Sequence, residues 1–284
     1  MKTKIILLFC LINYSTNVIA QQFSYTGISI GYGTGLPAYA LGSSTNTTNG
    51  RTTYTLEKGS YGQGLNFSIT GGYMFNKNIG AEIGVSYLVG SKKEFTISTL
   101  DTNTSSGNST DAEGSITLDK ITMIQVNPAV KITFGDDVRP YIRMGLAIGL
   151  GTGYTQTEEK TVTTSGSMAD TTVIERVTEY RGGTSFGFNS AFGVDFNLTD
   201  NLRFFGELSF SSISWAPTKS KITKDEHDGV DRTASAAPGS LDTEYVDEYT
   251  QPSGNPASGK ALKSYRPFGT FSISAGVIFT FGEE

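Results

Sequence analysis

Along most of this chain apolar and polar residues alternate one for one, and the alternation stops at recurring places. Near the end, Phe271, Ile273, Ala275, Val277, Phe279 and Phe281 share one parity, and Ser272, Ser274, Gly276, Ile278 and Thr280 the other. A period of two marks a strand with unlike faces. Leu65, Phe67, Ile69, Tyr73 and Phe75 repeat the beat, and after a short NKN turn so do Ile79, Ala81, Ile83, Val85, Tyr87 and Val89. Two more hairpins follow, IQVNPAVKITF with YIRMGLAIGLG and SFGFNSAFGVDFNL with LRFFGELSFSSISW. A glycine-rich strand around YTGISIGYG and the last strand complete a predicted set of eight. Three connections are short turns near Asn76, Asp136 and Asp200, and four are long, roughly 35–61, 91–115, 154–182 and 216–264.

The small face decides which side is the interior. It is dominated by Gly, Ser, Ala and Asn rather than by the Lys, Glu and Thr of a solvent-facing sheet. Such residues suit the crowded lumen of an eight-stranded barrel. The other face carries large branched and aromatic side chains without charge, as a lipid-facing band requires. Phe75, Phe134, Phe196, Phe204 and Phe281 fall by the short turns, and Tyr32, Tyr87, Phe186, Trp215 and Phe271 toward the long connections. These are expected to form two interfacial girdles. The predicted fold is therefore all-β, an eight-stranded antiparallel up-and-down transmembrane barrel. A soluble sandwich, with the apolar face buried, is the alternative.

The start of the chain places this fold in a cell envelope. Lys2 and Lys4 precede an apolar run from Ile5 to Ile12, and Val18, Ile19 and Ala20 offer a cleavage site. Residues 1–20 read as a secretory signal peptide, and 21–284 as one barrel domain. Cys10 lies in the signal, which excludes disulfides and cysteine metal sites from the rest. Without Lys2 and Lys4, 20 basic residues face 27 acidic ones, a net charge of −7. No basic patch points to nucleic acid.

The long connections read as polar loops: GSSTNTTNG and DTNTSSGNST are too poor in apolar groups to fold alone. YTQTEEKTVTT and TTVIERVTEYRG, flanking SGSMAD, keep a strand-like beat and predict a hairpin above the membrane.

The inward parity also carries charge. Glu82, Asp195 and Glu207 share it with Lys131, Arg143 and Arg203, all within a few residues of a short turn. Charges held in a packed lumen must pair, so a salt-bridged layer closing the barrel is expected, with a rearranging gate as the alternative. The chain's single histidine, His227, sits in the last loop, far from any nucleophile, and no enzyme is predicted. Asp225, Asp228 and Asp231 around Gly229 lack the spacing and distal Glu of a calcium loop, and read as a solvated acidic turn. Asp170 opens a short DTT motif able to accept a sugar in some bacteria. No cofactor is called for.

The whole chain after the signal resembles the small outer-membrane β-barrel proteins of the OmpA/OmpX type in diderm bacteria. The resemblance is carried by the short-turn hairpins, RPYIRMGLAIGLG, LRFFGELSFSSISW and AGVIFTFGEE. It implies that the last strand, through Val277, Phe279 and Phe281, is read by the barrel-assembly machinery, although Gly282, Glu283 and Glu284 trail behind it. It further implies an outer-membrane location with periplasmic termini and extracellular long loops, in contact with membrane lipid and lipopolysaccharide. Members of that family include adhesins, stabilising proteins, minor pores and a few enzymes. The expected role is structural or adhesin-like, through loops that meet an extracellular protein or matrix ligand. A narrow pore for small solutes is the runner-up.

Overall fold

The computed structural model describes residues 23–36, 40–48, 51–103, 108–165, 169–237, 239–250 and 259–281. The predicted signal peptide and residues 282–284 lie outside them. Eight long strands form the body: β1 (Phe23–Gly35), β2 (Gly64–Met74), β3 (Ile79–Gly90), β4 (Asn108–Thr133), β5 (Val138–Ser165), β6 (Ser185–Thr199), β7 (Leu202–Trp215) and β8 (Thr270–Phe281). Each pairs antiparallel with its neighbour in this order, and β8 returns to β1, with Ile28 opposite Val277 on one side and Ile69 on the other. The ring is complete. Closure leaves no unpaired edge at membrane depth, where an orphaned backbone group would cost several kcal/mol (order of magnitude).

Burial along the strands follows the expected inversion. Ile83 is 55% exposed, Phe192 55% and Ile273 64%, while the alternate residues Ser86, Asn189, Ser211 and Thr280 are buried. Large apolar side chains therefore face the lipid and small polar ones the lumen. Ring closure with the apolar face outward rules out the sandwich alternative.

One girdle residue is misplaced by the sequence reading. Tyr32, Tyr87, Phe186 and Phe271 are exposed on the outer face, but Trp215 is fully buried. It has the parity of Phe205, Glu207 and Ile213 and so points into the barrel, whereas Phe204, Leu208 and Phe210 point out. Position near a strand end suggested the girdle; parity decides the side.

The long connections are also more ordered than their composition suggests. The hairpin around SGSMAD forms as expected, with residues 153–164 of β5 paired to Asp170–Arg181. The sheet then grows in both directions: Lys93–Asn103 adds beside β4, and Lys219–His227, Asp242–Val246 and Lys260–Leu262 follow beyond Asp170–Arg181. Ala40–Thr48 and Arg51–Lys58 make a separate hairpin within the tract read as a polar loop. These segments are rich in Thr, a good strand former. Lys93–Asn103 and Asp170–Arg181 also continue a register already set by β4 and β5, so for them the entropic cost of starting a strand is met inside the barrel.

Candidate functional site

The lumen is closed at two levels. The level nearer the short turns is built on two rows of residues, each spanning three adjacent strands. In the first, Tyr25 on β1 stands opposite Gly72 on β2, which stands opposite Glu82 on β3. The second repeats the order with Tyr141 on β5, Gly193 on β6 and Glu207 on β7. In each row the tyrosine lies across the glycine and donates its hydroxyl to the carboxylate, Tyr25 to Glu82 Oε2 at 2.6 Å and Tyr141 to Glu207 Oε2 at 2.9 Å. Only glycine fits beneath. A Cβ on Gly72 would lie 2.2 Å from the Tyr25 ring, and one on Gly193 2.3 Å from the Tyr141 ring.

Arg143 joins the rows. Its Nη1 donates to Glu82 Oε1 at 2.9 Å and its Nη2 to Glu207 Oε1 at 2.8 Å. Beside it Lys131 donates to Asp195 Oδ2 at 3.1 Å, both side chains being buried, and its ammonium lies 4.0 Å from the centre of the Tyr141 ring. Buried charge is tolerated only when paired and hydrogen-bonded in this manner. The remaining space in this layer is about 20 Å3.

Of the charged residues singled out by parity, Glu82, Lys131, Arg143, Asp195 and Glu207 thus meet in one layer. Arg203 lies a step closer to the short turns, its guanidinium 5.3 Å from the Phe23 ring. Arg139, absent from the sequence reading, lies against the same ring at 5.6 Å and donates to Thr133 Oγ1 at 3.0 Å. Tyr25 and Tyr141 were also missed. Their signal was available, since an aromatic residue of inward parity facing glycine on the next strand has room to cross it.

The second level lies toward the long connections and is apolar. Tyr61, Leu88, Leu118, Ile121, Met123, Ala147, Tyr154, Ile213, Trp215 and Phe268 form one buried cluster. The Tyr154 and Tyr180 rings stack at 4.6 Å, Trp215 meets Tyr154 and Phe268 edge-on at 6.0 Å each, and Trp215 Nε1 donates to the Gly182 carbonyl at 2.8 Å. Burial pushes the phenols of Tyr61, Tyr154 and Tyr180 above their ordinary value, so all three are neutral at physiological pH. No such plug was anticipated from sequence, because its members come from loops as well as strands.

Between the two levels is a polar cavity of about 70 Å3, lined by small side chains such as Ser29, Ser68, Asn127, Asn189 and Ser211. That volume has room for about two water molecules. Asn127 Oδ1, Asn189 Oδ1 and Ser211 Oγ find no hydrogen-bond partner among the described residues, as suits a hydrated chamber.

The other candidates are dispersed. Asp225 accepts from Arg176 Nε, Asp228 Oδ1 from the Val173 amide, and Asp231 Oδ1 from Thr233, so the three carboxylates do not converge. His227 lies 3.5 Å from Asp225. Asp170 Oδ1 accepts from the Thr171 amide. On β8, Val277, Phe279 and Phe281 have outward parity, Phe279 and Phe281 being exposed.

A family model described as an outer membrane protein beta-barrel domain matches residues 6–234. No curated protein matches the chain. Among solved structures it is similar to neisserial surface protein A, at 11% identity and a TM-score of 0.34, over 91% of this chain and 97% of that one. OprG from Pseudomonas aeruginosa matches at 11% and 0.38, over 93% and 97%. Ail of Yersinia pestis, in complex with a heparin analogue, matches at 12% and 0.32, over 91% and 99%.

Proposed function

Because the chain belongs to the outer membrane β-barrel protein family, and so to a bacterial outer membrane, we propose that it is a closed barrel anchor that presents a surface-interaction sheet outside the cell. In this reading residues 1–20 direct export, both termini and the three short turns face the periplasm, and the long connections face outward. The role is structural or adhesin-like rather than catalytic.

The observation that carries the reading is the doubly sealed lumen. A conducting barrel needs a continuous aqueous path, whereas here the charged layer leaves about 20 Å3 and the aromatic plug lies above it. The strands invested beyond the barrel support a contact role, since β4 and β5 run to 26 and 28 residues where about 9–11 suffice to span a bilayer.

Planar-bilayer recording of the purified protein tests it. Silence is expected; reproducible channels altered by Arg143→Ala or Glu82→Ala would establish a pore instead. Protease applied to intact cells should cut only within the long connections. Cleavage at Asn76 or Asp200 would reverse the orientation.

A further inference from the structure

The loop-end side of the molecule pairs its partly buried cations with acids. Lys160 holds Glu158, Arg176 holds Asp225, Lys224 holds Glu175 and Glu226, and Lys263 holds Asp247. Two partly buried cations differ. Lys93 donates to the neutral Gln63 Oε1 at 2.7 Å. Arg266 donates through Nε to the Tyr154 hydroxyl at 3.3 Å and through Nη1 to Ser264 Oγ at 2.9 Å, with no carboxylate partner among the described residues. Tyr154 in turn is held in the plug by Tyr61, Tyr180 and Trp215. A partly exposed guanidinium is thus fixed at the top of the aromatic plug.

Withdrawing an arginine from water without an opposing charge is costly, and apart from Lys93 the other partly buried cations described on this side avoid that cost. We propose that Arg266 is an oxyanion-binding residue at the loop-end mouth of the barrel, taking the carboxylate or phosphate of a small solute or chain end. The planar guanidinium matches either group in a forked geometry, the tyrosine hydroxyl fixes its plane, and the surrounding rings lower the competition from water. That such a ligand arrives from outside the cell rests on the orientation proposed above; the binding itself does not.

Trp215 makes the site observable. It is the only tryptophan in the chain and touches Tyr154 directly. The full-length protein, folded in detergent micelles, is titrated with galacturonate, glucose 6-phosphate and, as the neutral control, glucose, while tryptophan emission is followed. A saturable change with at least one anion and none with glucose is expected, and which anion responds identifies carboxylate or phosphate as the group bound. Arg266→Gln should weaken binding roughly tenfold or more, and Arg266→Lys should restore part of it. Heat-modifiable gel mobility confirms that each variant is folded. Should Arg266→Gln not fold, Tyr154→Phe keeps the stacked ring but removes the hydroxyl, and should bind more weakly. Anion titrations that superimpose on that of glucose, or unchanged affinity in the folded variants, would overturn the proposal. Protease digestion of intact cells reports on orientation separately, so the two readings fail independently.

Discussion

Arg143 on β5 donates to Glu207 on β7 at 2.8 Å, although a whole strand, β6, lies between them. The contact crosses the lumen rather than following the sheet. It is possible because β6 contributes Gly193 and Ala191 at this height, neither of which fills the gap.

Removing that arginine should therefore be expensive. Arg143→Ala leaves Glu82 and Glu207 buried with tyrosine hydroxyls alone, and is expected to cost about 3–5 kcal/mol, read as a lowered urea midpoint in detergent or lipid. Adding Glu82→Gln and Glu207→Gln to the same variant should recover much of the loss. Equal stability of the single and triple variants would mean that charge is not what the layer balances.

The crossing tyrosines make a steric prediction. Gly72→Ala and Gly193→Ala each drive a methyl into a tyrosine ring and should cost about 1–3 kcal/mol. Gly71→Ala and Gly206→Ala, where an added Cβ has no atom within 4 Å, should be tolerated. The fraction running as the compact band in unheated gels separates the two pairs.

The lipid belt can be probed by depth. Lys in place of Phe192, midway along β6, should cost ~2–4 kcal/mol, and in place of Val138, at the turn end of β5, about 0–1 kcal/mol. Both residues are exposed on the outer face, so solvent exposure alone would predict no difference. Folding yield into vesicles of defined lipid is the measurement.

The aromatic plug should loosen in alkali. The phenols of Tyr61, Tyr154 and Tyr180 have pKa values raised by burial, so their contribution is complete below the unfolded value near 10 and declines as pH rises through the folded values. Trp215 emission is expected to hold steady up to about pH 10 and to shift above it, before the barrel itself unfolds.

How much of this could be read in advance depended on contrast between alternate residues. β2, β3, β6 and β8 set Phe, Ile and Val against Ser, Gly and Asn, so their faces and turns were legible, as was the inward parity of Glu82, Arg143 and Glu207. In tracts such as DTNTSSGNST both parities are polar, and a strand there leaves no trace in the pattern. Tyr25 and Tyr141 were obscured for the opposite reason: a large ring of inward parity contradicts a lumen of small residues until the glycine beneath it on the next strand is taken into account. Trp215 and Phe268 belong to a plug assembled by distant segments, which no local pattern encodes.

The two rows of the charged layer fall one in each four-stranded half, and two of its ion pairs cross between the halves. Lys131, on the first half, binds Asp195 of the second, and Arg143, on the second, reaches back to Glu82 of the first. Each half lends a cation to the other. Both crossings span the seam where β4 meets β5, so opening the barrel there would break two buried ion pairs at once in a medium that punishes unpaired charge, and the charged layer works as a clasp between the halves.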